Sequence, residues 1–202
     1  MGVLNSYVTN KPNSPLGETC YVALQGLKRQ RSRVCACQYR SFDPAIGDPS
    51  ATAADIQRYA DILADEGQEL YQRYIAMFTL RNLNASRPLA HVLSTDSCSA
   101  ALRHEIAFIL GQMEFTSETS GEGGAGTNDA ESAQEASAAE ENVAVTALIE
   151  NLRSRQEHAM VRHEAAIALG SIGMRAWPFV NPAICSSRSR ACSERATRAV
   201  HD

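Results

Sequence analysis

The reading of this chain turns on three stretches: residues 73–83 (RYIAMFTLRNL), 103–113 (RHEIAFILGQM) and 162–172 (RHEAAIALGSI). They align without gaps. Arginine opens each one, leucine holds the eighth position as Leu80, Leu110 and Leu169, and an apolar residue closes each as Leu83, Met113 and Ile172. The fifth and sixth positions are Met77-Phe78, Ala107-Phe108 and Ala166-Ile167. Apolar residues thus recur at steps of three and four, the period of an amphipathic helix. A fainter copy, residues 17–27 (GETCYVALQGL), keeps Ala23, Leu24 and Leu27 in register.

The first two strong copies begin 30 residues apart; the third begins 59 residues after the second, and 27 of those belong to an acidic insert. A period near 30, with a second helix in each unit, predicts an all-α helical-hairpin solenoid. The second helices are read at residues 87–93 (RPLAHVL) and 143–152 (VAVTALIENL). One hairpin cannot bury its apolar face alone, so the first helices are expected to stack side by side, roughly 8–10 Å apart.

Composition sets the outer bounds. With 202 residues, 44% hydrophobic and 21% charged, the chain has room for one domain of ordinary size. Its formal charge of −4 argues against a general nucleic-acid binder. No run of 18 apolar residues exists to span a membrane, and the polar N-terminus shows no apolar signal core. The six cysteines, at 20, 35, 37, 98, 185 and 192, follow neither zinc-ribbon nor thioredoxin spacing and are read as reduced, in a cytoplasmic protein.

The segments between the repeats differ in kind. Residues 116–142 (TSETSGEGGAGTNDAESAQEASAAEEN) carry seven acidic side chains, no basic one and no large apolar one, and are expected to be disordered. Without them the rest is mildly basic. Residues 28–39 (KRQRSRVCACQY) hold four basic residues and read as solvated linker rather than an import or anion patch; Cys35 and Cys37 fall inside it without a third ligand. Residues 41–52 (SFDPAIGDPSAT) contain two Asp-Pro steps, which is turn chemistry. The expected order is a disordered N-terminus over 1–15, a helix over 16–30, linker over 31–55, repeats over 56–173 and an irregular Arg/Ser-rich tail over 174–202 with no copy of the repeat.

Two of the aligned helices carry the same dipeptide at the same place, His104-Glu105 and His163-Glu164; the other two have Tyr74-Ile75 and Glu18-Thr19 there. Packing of the repeat therefore does not require it. A single His-Glu on a helix is ordinary surface. Two in register, each preceded by arginine and followed by Ala-x-x-Leu-Gly, point to metal binding or catalysis. Equivalent positions of neighbouring repeats share one side of a solenoid, so two imidazoles and two carboxylates converge on one groove. Two histidines and one carboxylate suit a first-row ion with open positions, as in non-haem ferrous oxygenases; zinc accepts the same donors. A zinc hydrolase is disfavoured by the lack of an HExxH motif. Gly111 and Gly170 each lie seven residues past the histidines, which suggests close approach along that face, with helix packing or a helix end as the alternatives. Met160 is read as core filler rather than channel lining, and His91, His158 and His201 as exposed or capping residues.

Beyond these residues lies a resemblance. ALRHEIAFILGQM followed by MVRHEAAIALGSIG, with YQRYIAMFTLRNL upstream, resembles the C-terminal half of deoxyhypusine hydroxylase over residues 42–173 apart from the insert. The helix of residues 17–27 is similar to the last helix of the preceding half. The resemblance implies HEAT-like hairpins in two halves, each supplying two His-Glu motifs to a di-iron centre. It implies hydroxylation, with molecular oxygen, of the deoxyhypusine side chain of translation initiation factor five A by a cytoplasmic enzyme with no organic cofactor. By motif, His104, His163 and Glu164 are implied as Fe(2+) ligands, and Glu105 as a further ligand or a partner of the substrate amine. This chain has two His-Glu motifs where the family has four, so at most one iron is expected, and activity alone is in question. The second half-site is expected from a longer protein, from a partner chain or from a homodimer. The competing expectation is a non-catalytic helical-repeat scaffold that binds a protein partner.

Overall fold

The computed structural model describes residues 2–29, 43–113 and 127–173, with the side chains of 127–138 excepted. Every regular element among them is helical: α1 (Gly2–Asn10), α2 (Pro15–Arg29), α3 (Ile56–Ala64), α4 (Leu70–Asn82), α5 (Ser86–Thr95), α6 (Ala100–Gln112), α7 (Thr127–Arg153) and α8 (Ala159–Ile172), with a short 3-10 turn at Ala53–Asp55. The predicted first helices are α4, α6 and α8, and the predicted second helices are α5 and α7. Consecutive helices form the hairpins α3–α4, α5–α6 and α7–α8, which stack so that α5 lies on α7 and α6 on α8. Helix α2 packs against both α4 and α6.

The register seen in the sequence builds the core. Leu80, Leu110 and Leu169 at the eighth position are all buried, as are Met77, Phe78 and Ala107. Removing such a side chain from water contributes about 1.5–3 kcal/mol each, enough to hold hairpins that are too short to persist alone. Local signals set the ends. Ser99 caps α6, its hydroxyl accepting from Leu102 N at 3.0 Å. His158 caps α8, Nδ1 accepting from Met160 N at 3.2 Å, while His91 is exposed. Both histidines match the capping-or-exposed reading.

Charge also runs through the stack. Arg73 donates to Asp96 at 2.6 Å and to the Leu63 carbonyl at 2.8 Å. Asp96 lies in the α5–α6 turn and also takes Arg103 at 3.1 Å. Arg103 in turn forks onto Glu157, in the α7–α8 turn, with two contacts of 2.8 Å. The opening arginines Arg73 and Arg103 are thus ties between hairpins, a role their position alone does not disclose.

Two expectations are corrected. Residues 1–15 are not irregular: α1 spans Gly2–Asn10, with Leu4 and Val8 half-buried one turn apart on a common face. The linker is ordered over 43–55; Asp48 N donates to Thr79 Oγ1 at 2.9 Å and Tyr59 Oη donates to Asp48 at 2.5 Å. The acidic insert leads into α7, which begins at Thr127. Alanine and glutamate are good helix formers, and the far end is anchored: the Glu140 carboxylate accepts from Ser86 Oγ and the Arg87 side chain, and from Arg87 N at 3.2 Å. Residues 114–126, most of the basic run and the tail 174–202 lie outside the described residues. No described helix is long and apolar enough to cross a membrane. Cys20 is buried and Cys98 exposed, and both are free thiols.

Candidate metal centre

Helices α6 and α8 approach closely because of one glycine. A Cβ on Gly111 would lie 2.7 Å from Ala168 Cα, too near for any side chain. The packing reading of Gly111 therefore holds. Gly170 differs, since among the described residues nothing lies within 4 Å of the same added atom.

The close approach brings His104 of α6 and Glu164 of α8 together. His104 Nε2 is 3.3 Å from Glu164 Oε2. Glu164 is buried, and the His104 side chain keeps 31% of its surface open. That spacing equals the gap between adjacent donors when nitrogen and oxygen each sit about 2.0–2.2 Å from a shared first-row ion. The same spacing also suits a direct imidazole–carboxylate contact. His163 does not join it: it is exposed on the outer side of α8. Among the described residues no group of three His, Cys, Asp or Glu side chains is close enough to hold an ion.

Glu105 takes a different place. It is half-buried, and its carboxyl is pushed up to about 7, first by desolvation, then by the negative charges of Asp43 and Glu164, with Arg81 opposing. Arg81 is itself fully buried and holds Asp43 through contacts of 2.9 and 2.5 Å, with its guanidinium 4.8 Å from the centre of the Phe78 ring. Tyr74 stands on α4 at the register of the histidines; burial, with Glu105 and Glu18 nearby, holds its hydroxyl well above the usual range. Glu18 occupies that register on α2 and accepts from Ser99 Oγ at 2.8 Å. The four equivalent positions thus read Glu18, Tyr74, His104 and His163, an acidic and aromatic approach ending at the His-Glu edge.

Sequence reasoning singled out His104, Glu105, His163 and Glu164. It missed Asp43 and Arg81, because Asp43-Pro44 reads as a turn and its partner is 38 residues away. It also passed over Tyr74, which entered only as a departure from the motif.

No protein-family model matches the chain. Among curated proteins, it is 33% identical to rat deoxyhypusine hydroxylase over 177 residues, which is 85% of this chain and 49% of the relative. It is 32% identical to the human deoxyhypusine hydroxylase over 174 residues, or 84% of this chain and 48% of the relative. A solved structure of human deoxyhypusine hydroxylase in complex with glycerol superposes with a TM-score of 0.66 at 30% identity, covering 99% of this chain and 60% of that one. The chain spans about half the length of the curated relatives it matches.

Proposed function

We propose that this chain, which spans about half the length of the deoxyhypusine hydroxylases it matches, presents one iron half-site for hydroxylating the deoxyhypusine side chain of translation initiation factor five A. The observation that carries the reading is the His104–Glu164 edge at 3.3 Å on two packed helices with matching Arg-His-Glu motifs. His104 and Glu164 would hold Fe(2+), and His163 would complete the set once its side chain turns inward from α8. A second set of ligands, from a partner half or a second copy, would complete the di-iron centre. Iron bound there supplies the activation of molecular oxygen. The chain's own groups do the rest. Glu105, with Asp43 and Arg81 behind it, meets the cationic amine of the substrate; that positive charge favours the ionised carboxylate and fixes the carbon to be oxidised. The buried Tyr74 and the packed α6–α8 joint keep water from the inner wall of the groove. A cytoplasmic setting accords with the free thiols of Cys20 and Cys98.

Mass spectrometry of the factor tests this directly. With iron and oxygen, the chain alone at dilute concentration is expected to leave deoxyhypusine unchanged, and a mixture with a complementary His-Glu half to add one oxygen atom. Failure of that mixture, with both proteins folded and iron-loaded, removes the proposal. A scaffold without catalysis is the second reading, favoured by the exposure of His163, and it predicts no iron binding at all.

A further inference from the structure

The ninth position of the repeat differs in kind along the stack. It is Gly111 on α6 and Gly170 on α8, but Arg81 on α4. Seven residues separate Arg81 from Tyr74, close to two full turns, so both lie on one face of α4. Arg81 is fully buried, and its charge acts on Glu105 of the neighbouring α6. Yet the guanidinium is held by other groups. Nη1 and Nη2 fork onto the Asp43 carboxylate at 2.9 and 2.5 Å, and Asn82 Oδ1 accepts from Nη2 at 3.2 Å. The backbone around Asp43 fixes its place. Ala45 is fully buried. Gly26 of α2 fits against the Pro44 carbonyl, where a Cβ would lie 2.8 Å from the oxygen. Gly47 fits against α4 in the same way, 2.8 Å from Thr79 N, and Asp48 N donates to Thr79 Oγ1 at 2.9 Å. Residues 43–48 are therefore a strap seated on α2 and α4, and the strap delivers a carboxylate to the buried cation whose charge Glu105 feels.

We propose that Asp43 is a positioning residue, which holds the Arg81 guanidinium to the strap and so leaves the Glu105 carboxylate to an incoming ammonium group. The inference deepens the reading of Glu105 as the partner of the substrate amine and rests on it. Guanidinium and carboxylate make strong, bidentate pairs. A resident arginine, already ordered, would outcompete a substrate cation that gives up its freedom on binding. With Asp43 on it, the same arginine is neutralised and its fork is occupied. The packed strap gives this hold a fixed direction, because Asp43 cannot follow Arg81 toward α6 without unseating Ala45 and Gly47.

The test is calorimetric titration of the full, metal-free chain with a peptide carrying deoxyhypusine, beside the same peptide with its terminal amine acetylated. The wild type is expected to bind the free amine, and Glu105→Gln to lose it. Asp43→Asn is expected to weaken that binding about tenfold or more, and Arg81→Gln added to it to restore binding to within about threefold of wild type. A merely structural role predicts the opposite order, with the double variant no better than the single one. Asp43→Ser is the second variant, in which water can stand in for the lost oxygens and support the fold; it is expected to behave as Asp43→Asn does. Circular dichroism establishes that each variant is folded. Asp43 variants that bind as tightly as wild type overturn the proposal and leave the amine reading standing. So does a loss that Arg81→Gln does not restore. A wild type that does not bind, binding that ignores acetylation, or binding that survives Glu105→Gln removes the amine reading and this inference with it.

Discussion

Asp96 accepts from Arg73 and Arg103 at once, and neither it nor Arg73 reaches solvent. Removing one member of a buried pair leaves an uncompensated charge, at a cost of about 3–5 kcal/mol. Asp96→Ala is therefore expected to lower the urea midpoint sharply, whereas Arg58→Ala, whose partner Asp55 sits at the surface, is expected to change it by less than about 1 kcal/mol. Glu105 gives a pH signature. Its carboxyl lies near 7 in the folded chain, above the ordinary value of 4.5, so the folded state binds the proton more tightly than the unfolded one. The stability this contributes is complete below pH 4.5 and is lost as pH rises through 7. In chelator-treated protein, Glu105→Gln is expected to flatten that part of the stability profile; an unchanged slope between pH 5 and 7 contradicts the burial of Glu105. At this scale the sequence disclosed the chemistry-bearing residues but not their partners. Arg73 and Arg103 were visible as marks of a repeat, yet their acids come from turns 23 and 54 residues away, where no period guides the eye.

Helices α4, α6 and α8 were legible because period and register agree over eleven residues, and burial then follows the same positions. Their second helices were legible more faintly. What stayed hidden was order that depends on neighbours: α1, which packs on α2, and the anchoring of α7 on α5, where Glu140 accepts from Ser86 and Arg87. Composition describes a segment's own capacity to bury surface, not an anchor provided elsewhere. The paired glycines separate the two cases. Alanine gains up to about 1 kcal/mol over glycine inside a helix. At Gly170 that gain is unopposed, and Gly170→Ala is expected to raise the thermal midpoint. At Gly111 the added methyl meets Ala168 at 2.7–2.8 Å, and Gly111→Ala is expected to destabilise by about 1–3 kcal/mol through forced separation of α6 and α8. Equal effects at the two sites contradict the packing described for α6 and α8. Because His104 and Glu164 sit on those two helices, Gly111→Ala is also expected to weaken any metal held between them.

Among the described residues the chain is a stack of helical hairpins tied by Arg73 and Arg103, with His104 and Glu164 meeting where α6 packs on α8. It spans half the length of the hydroxylases it resembles, and it brings together two of the four residues that the motifs single out. The His-Glu pairs were legible in the sequence, since a scaffold has no reason to repeat them in register. The exposure of His163 was not, because a dipeptide does not disclose which of its two side chains the helix turns into the α6–α8 contact. Everything then rests on whether the His104–Glu164 edge binds iron. The direct measurement is the iron content of the purified, reconstituted chain by plasma emission, beside His104→Ala, His163→Ala and Glu164→Ala variants shown to be folded by circular dichroism. The account predicts about one iron per chain, lost in all three variants. A folded wild type that takes up no iron, or one that keeps its iron when His104 is removed, contradicts it.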